Sequence, residues 1–282
     1  MAGRLESSPA TGRWLADAVS ALVGVFFPAG CRICDQLLAN ASRVPICEEC
    51  LDSFRPLKTP ICEKCGQPLE IPSFAGSAGA SSESSHQVLF CQVCQARPFA
   101  FDCARSYADY QQALVRAIIL LKFEQILPLG AWFAARLGEV AEHLGEALAA
   151  DVVVPVPLHR QRQRERGYNQ ADLIARPLAK RLGLPYRAVL LVRTKPRPNK
   201  QVLTLEERWQ SVRGAFGTRP GIKVDKLRVM LVDDVMTTGA TLDACAKALR
   251  EAGAKSVVGL TVARAARRPV LGSGESNAKD AP

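Results

Sequence analysis

The sequence predicts an α/β protein in which a parallel sheet flanked by helices follows a small, cysteine-rich N-terminal domain. Three observations carry this expectation. Short apolar runs rich in β-branched residues alternate with stretches of helical period from Phe99 onward. Eight of the ten cysteines fall into four CxxC pairs before residue 95. The 282 residues, 48% hydrophobic and 23% charged, suffice for two modest globular domains and fit neither a fibre nor a wholly disordered chain.

The chain opens with residues 1–30, where Arg4 and Arg13 precede an apolar stretch from Ala18 to Phe27. Asp17 interrupts the approach to that stretch and a cysteine pair follows at once, so an amphipathic helix ending at Pro28 is expected rather than a secretion signal. No apolar run reaches the roughly 18 to 20 residues of a membrane-spanning helix. A soluble chain without a membrane span is expected.

The CxxC pairs are Cys31/Cys34, Cys47/Cys50, Cys62/Cys65 and Cys91/Cys94. A two-residue gap lets both sulfurs of a tight turn face one tetrahedral ion, and two such turns supply the four thiolates of a structural zinc site. Four pairs predict two zinc ions. Disulfide frameworks seldom repeat CxxC four times, and thioredoxin-type redox motifs come singly on a strand-to-helix turn. Sequential pairing closes the shorter loops and is preferred; cross-bracing of the first pair with the third stays open. Reduced thiolates imply the cytoplasm. The double ribbon is expected over residues 31–98. Its Gly/Ser/Ala-rich insert at 72–87 is too polar to order itself, and nearby His86 is a weaker candidate ligand.

The second domain is expected over 99–268. Phe99–Tyr107 reads as a strand, and Gln111–Leu121 and Ala131–Leu148 read as amphipathic helices. Asp151–Val156 is a strand buried on both faces, followed by a helix over Gln170–Leu182 that Gly183 and Pro185 stop. Ala188–Val192 is a further β-run, and the stretch from Thr194 to Phe216 reads as a mobile loop. Arg228–Val232 is the most apolar strand, leading through DDVMTTGAT to a helix at Leu242–Ala252 and a last strand at Ser256–Ala263. A polar tail, 269–282, is expected to be disordered.

Ligands of open parallel sheets bind beyond the carboxyl ends of the strands. The loop there, from Asp233 to Thr241, offers two adjacent carboxylates, three hydroxyls, a glycine and the free N–H groups of a helix start: Asp233, Asp234, Thr237, Thr238, Gly239, Ala240 and Thr241. That combination suits a phosphomonoester. Both carboxylates are expected at the surface, where a sugar diol or a magnesium-bound water would satisfy them. No lysine follows the glycine as in a nucleotide P-loop, and no GxGxxG stands at a strand end. Net charge is +10, and His159–Lys200 holds twelve bases against two acids, an excess equal to that of the whole chain. A polyanion site is expected there.

VMLVDDVMTTGATL, Val229 to Leu242, resembles the phosphoribosyl pyrophosphate signature of type I phosphoribosyltransferases. VPVPLHRQRQRERGYNQA, Val154 to Ala171, and the cysteine-rich N-terminus resemble the ComF family, named for competence and DNA uptake, which joins a double zinc ribbon to a type I phosphoribosyltransferase-like domain. The resemblance implies that Asp233 and Asp234 hold the ribose hydroxyls of phosphoribosyl pyrophosphate with magnesium, and that Thr237, Thr238, Gly239, Ala240 and Thr241 wrap its 5′-phosphate. It also implies that the loop His159–Asn169, through His159, Arg160, Arg166, Gly167 and Asn169, takes the pyrophosphate. Lys122 matches another basic family position. Gln201 and Ser211 depart from the family's mobile-loop pattern, and no residue names an acceptor. Two readings stay open. One is a phosphoribosyltransferase acting in DNA uptake during natural transformation. The other is a non-catalytic accessory or scaffold with a vestigial site that binds single-stranded DNA. Partners implied are a DNA-uptake helicase or other competence proteins.

Overall fold

A computed structural model describes residues 30–38, 42–69, 88–196 and 204–265. The expected N-terminal helix, the insert at 72–87 with His86, and the tail at 269–282 lie outside the described residues. In chain order the elements are α1 (Glu48–Asp52), α2 (Gln92–Ala96), β1 (Cys103–Asp109), α3 (Gln112–Phe123), α4 (Pro128–Leu144) and a 3-10 turn at Gly145–Leu148. There follow β2 (Val152–Pro155), α5 (Arg160–Arg166), α6 (Gln170–Leu182), β3 (Leu191–Arg193), α7 (Leu205–Val212), β4 (Phe216–Thr218), β5 (Arg228–Met236), α8 (Ala240–Glu251) and β6 (Ser256–Arg264).

The main sheet is ordered β1-β6-β5-β2 with every pair parallel, and β3 and β4 form a separate antiparallel pair. Period-two alternation along β5 divides its side chains between two cores. Met230 and Val232 face Leu114, Phe133 and Ile174 of α3, α4 and α6, whereas Val229 and Leu231 face Leu242 and Leu249 of α8. Each such fully buried aliphatic or aromatic side chain contributes about 1.5–3 kcal/mol relative to exposure. Truncating Phe133, which has no exposed surface, to alanine would therefore cost about 3–5 kcal/mol.

The cysteine-rich segment straddles the β1 edge of the sheet. Cys31, Ile46 and Phe54 join the core on the α3/α4 face, while Cys62 and Cys65 join the core on the α8 face. Between them the chain runs antiparallel to β1. Pro56 bridges Ala108, Leu57 N–H donates to Tyr107 O at 3.0 Å and Asp109 N–H to Arg55 O at 3.0 Å. Farther along, Ala104 N–H donates to Lys64 O at 2.8 Å. An edge strand with unpaired backbone groups invites pairing with other chains, and here that edge is covered. Gly66 fits this contact for two reasons. Its φ is +65°, and a Cβ would stand 2.8 Å from Ala104 O.

Three expectations change. The strand read as ending at Val232 continues to Met236, because β6 keeps offering partners (Asp233 to Thr261, Val235 to Ala263, Met236 to Arg264). The acidic pair therefore lies inside a strand rather than beyond it. The segment read as a pyrophosphate loop is mostly α5, since RQRQRER is built of good helix formers. The stretch read as a mobile loop from Thr194 to Phe216 contains α7, while its residues 197–203, Gln201 among them, lie outside the described residues. The start of α7 is a capping box in which Thr204 and Glu207 satisfy each other's backbone N–H groups.

Candidate functional site

The eight cysteines of the four pairs assemble sequentially into two clusters, Cys31/Cys34/Cys47/Cys50 and Cys62/Cys65/Cys91/Cys94, with all ligand sulfurs of each within 4.8 Å of one another. Cross-bracing is not what forms. The Sγ atoms of Cys34 and Cys47 lie 3.6 Å apart, as do those of Cys65 and Cys91. A tetrahedral zinc with 2.3 Å bonds sets neighbouring sulfurs about 3.8 Å apart, so both clusters fit the ion. Backbone donors prepare the thiolate form: the N–H groups of Ile33 and Cys47 point at Cys31 Sγ from 3.4 and 3.3 Å. The Cys65 thiol, with the backbone N–H groups of Cys91, Cys65 and Lys64 behind it, holds the Cys62 thiol well below the usual cysteine value. Cys103 and Cys245 belong to neither cluster. Cys245 is buried in the α8 core, and burial pushes its thiol well up.

Beyond the carboxyl ends of the adjacent strands β2 and β5 lies a cavity of about 390 Å³. Asp233, Asp234, Thr237 and Thr241 line it from β5 and the start of α8. Gly239 adopts φ +82° at the N-cap of α8, a conformation that favours glycine, and a Cβ there would meet Met236 Cε at 3.0 Å and Phe99 at 3.1 Å. Thr238 is buried, and its hydroxyl accepts from Ala240 N–H at 3.2 Å. The turn thus shapes a helix start whose positive end suits a phosphate.

The acidic pair is not symmetrical. Asp233 Oδ1 accepts from Asp234 N–H at 2.9 Å, and Asp234 Oδ1 accepts from Val235 N–H at 2.8 Å. Asp234 is only 5% exposed and its other oxygen forms an ion pair with Lys122 of α3. Of the two carboxylates expected at the surface, one is buried. Hard carboxylate oxygens at this position fit magnesium, which takes one or two such ligands together with substrate phosphates.

Besides Lys122, which meets Asp234 directly, the cations Arg162, Arg166, Arg193 and Arg208 line the same cavity. Burial pulls Arg166 below the usual arginine value. Its guanidinium stacks 4.7 Å from the ring centroid of Phe123 and donates to Gln170 Oε1 at 2.6 Å.

The residues assigned to the pyrophosphate divide. His159 lines the cavity, and its Nδ1 caps α5 by accepting from Gln161 N–H at 3.4 Å. Arg166 lines it too. Arg160 is exposed and is not among the lining residues. Gly167, at φ +84°, ends α5, and Asn169 is buried. Asn169 caps α6 through Ala171 N–H at 3.1 Å and donates to Val156 O at 3.0 Å. These two shape the segment. Arg193 and Arg208, absent from the expected set, complete the basic wall. Arg208 sits on α7, and the T-x-x-E of Thr204–Glu207 was the signal that could have placed it.

An all-parallel core sheet with an acidic pair and threonine turn at its carboxyl end, clamped by two four-cysteine clusters, defines a phosphoribosyltransferase-type domain carrying a double zinc ribbon. The phosphoribosyl transferase domain model matches residues 170–271 and the double zinc ribbon model residues 22–95. The chain is 30% identical over 239 residues to the DNA utilization protein YhgH of Salmonella typhi, covering 82% of this chain and 94% of that one. It is 29% identical over 227 residues to competence protein F of Haemophilus influenzae (78% and 96%), and 28% over 230 residues to competence protein ComFC of Bacillus subtilis (78% and 84%). The chain belongs to the ComF family. No helix among the described residues is long and apolar enough to cross a membrane.

Proposed function

We propose that the protein binds phosphoribosyl pyrophosphate with magnesium and acts in the cytoplasm on incoming DNA during natural transformation. The convergence of the Asp233/Asp234 pair, the Thr237–Thr241 turn and five basic side chains on one cavity carries this reading. In it Thr237, Thr238, Gly239, Ala240 and Thr241 receive the 5′-phosphate at the N-terminus of α8, and Asp233 takes the ribose hydroxyls. Lys122 holds Asp234 in place behind it through their ion pair. His159, Arg162, Arg166, Arg193 and Arg208 face the pyrophosphate. As its bond to C1 breaks, negative charge builds on the leaving group and positive charge on the ribose. The arginines stabilise the first and the carboxylates the second. Magnesium, when bound, would supply a further fixed positive charge against the charge that develops on the leaving group. An acceptor nucleophile would then add at C1 and lose its proton.

The names of the relatives support a role with DNA, and a specific feature favours contact with the polymer itself. Arg160 and Arg164 of α5 are exposed, while Arg162 and Arg166 of the same helix line the cavity. One short helix thus offers cations both to the small-molecule cavity and to a polyanion outside it, such as single-stranded DNA. A DNA-uptake helicase or another competence protein would deliver that strand.

Calorimetry with phosphoribosyl pyrophosphate and magnesium tests the first reading. The wild-type chain should bind, and Asp233→Asn should lose binding while keeping its melting temperature. Absence of binding to the wild type, or unchanged affinity in the variant, would reject the site. Asp234 is the wrong residue to change for this purpose, because its removal strands a partly buried Lys122.

A further inference from the structure

Arg264, the last residue of β6, is 2% exposed and heads the fully buried side chains by size. No carboxylate among the described residues pairs with it. Its guanidinium reaches the second cysteine cluster on one side, with Nε donating to Cys65 O at 3.3 Å and Nη2 to Cys65 Sγ at 3.7 Å. On the other side Nη1 donates to Met236 O at 3.0 Å, to Thr237 O, and to Ala265 O at 3.3 Å. One buried cation therefore spans from a zinc-ligand sulfur to the backbone that opens the threonine turn.

Two physical consequences follow. A trans peptide unit points its C=O and N–H in opposite directions. The Met236 carbonyl is also held by Ala265 N–H at 3.0 Å, as an extension of the sheet; holding the Thr237 carbonyl against Arg264 turns the N–H of Thr238 away from the ribbon, and so orients the amide that opens the turn. The second consequence concerns charge. A buried guanidinium without a counter-charge is costly, and four thiolates around one divalent zinc leave the cluster with a net negative charge that Arg264 can face. If zinc leaves, the cluster that fixes Cys65 loosens and the guanidinium bonded to it shifts, taking its carbonyl partners with it. The packing leaves little slack: Cys65, Cys91, Phe99, Thr238 and Arg264 border a void of only about 10 Å³. A second tether runs alongside, where Ala100 N–H donates to Asp243 Oδ1 at 2.7 Å.

We propose that Arg264 is a positioning residue through which the second cysteine cluster sets the backbone of the threonine turn, so that zinc at that cluster and a phosphomonoester at Thr237–Thr241 strengthen each other's binding. Among the described residues, no buried cation joins the first cluster, on the opposite face of the sheet, to the threonine turn; its polar contacts run from Arg32 to Glu124 and Arg116. The mutual effect rests on the phosphate assignment above, whereas the positioning role does not.

Reciprocity supplies the test, since a ligand favoured by zinc must favour zinc in return. The full-length protein is challenged with a chelator, with and without ribose 5-phosphate, and cysteine alkylation is followed by mass spectrometry as zinc departs. Ribose 5-phosphate should slow labelling of Cys62, Cys65, Cys91 and Cys94 by roughly fivefold or more, and leave Cys31, Cys34, Cys47 and Cys50 unchanged. Arg264→Lys and Arg264→Gln, still carrying two zinc ions, should abolish that protection. Equal protection of both clusters, or protection that survives in the variants, would overturn the inference. Amide exchange over residues 236–243 gives a reading that needs neither sugar phosphate nor a variant. Stripping zinc from the wild type should raise exchange there several-fold and leave α6 unchanged, and no response overturns the inference. If the wild type binds no ribose 5-phosphate yet its exchange responds to zinc, the phosphate assignment falls and the positioning role stands.

Discussion

Lys122, in the last turn of α3, forms an ion pair with Asp234 in the middle of the sheet, and so ties a helix on one face to the strand that carries the candidate site. The side chains keep 20% and 7% of their exposure. At that burial, removing one partner leaves a charge that neither water nor protein compensates. Lys122→Met should therefore destabilise the chain by about 2 kcal/mol in urea titrations, with its 20% exposure moderating the larger cost of a fully buried pair. Adding Asp234→Asn to that variant should restore most of the loss. A double variant no more stable than Lys122→Met would show that the pair is not what matters.

Gly239 makes a second prediction. Alanine at φ +82°, with its Cβ 3.0 Å from Met236 and 3.1 Å from Phe99, must strain the backbone or displace both neighbours. A loss of about 1–3 kcal/mol in stability is expected, together with weaker binding of phosphoribosyl pyrophosphate by calorimetry. A variant as stable and as active in binding as the wild type would show that the turn relaxes freely.

Metal content is the third. Protein purified without added zinc should carry two ions per chain by elemental analysis. Because Cys31 and Cys62 belong to opposite cores of one sheet, chelation should lower the melting temperature of the whole chain rather than release a separately unfolding ribbon. Two resolved transitions after chelation, with the later one unmoved, would contradict this.

The fourth separates the two roles of α5. Affinity for single-stranded DNA falls with salt by about 0.7 log units per log unit of salt for each phosphate engaged. Arg160→Ala with Arg164→Ala should flatten that slope by about 1.4 units and spare phosphoribosyl pyrophosphate. Arg162→Ala should do the reverse. Filter binding across a salt series, with calorimetry on the same proteins, distinguishes them. Loss of both ligands in both variants would mean that the helix acts as a unit.

Much of this organisation was legible in the residues, and for identifiable reasons. CxxC spacing dictates ligand geometry directly, so the eight ligands could be read from the chain alone, whereas which pairs share an ion was only preferred on loop length until the fold decided it. The helix over Gln170–Leu182 also emerged with its bounds intact, since Asn169 and Gly183 punctuate it with side-chain and backbone chemistry that depends on few neighbours. Where partners distant in sequence decide, the reading failed. The extension of β5 past Val232 depends on pairing with β6, and polar Asp233 and Asp234 conceal it. The burial of Asp234 depends on a lysine over a hundred positions earlier. A basic run reads as one patch in sequence, yet helical periodicity sends Arg160 and Arg164 outward and Arg162 and Arg166 inward. Arg264 gave no signal at all, being an ordinary strand-end arginine until its surroundings are known.

The cover over the β1 edge carries a consequence for biosynthesis. Cys103 pairs with Val258, so one neighbour of β1 leaves the ribosome 155 residues after it. At ordinary synthesis rates that delay is on the order of ten to thirty seconds. The residues that cover the other edge, Arg55 to Leu57 and Lys64, have already emerged by then. During that interval the metal-held segment is, among the described residues, what pairs with the backbone of β1. A cell short of zinc would therefore expose a nascent β-strand, and the damage would fall on newly made chains long before it reached those already folded.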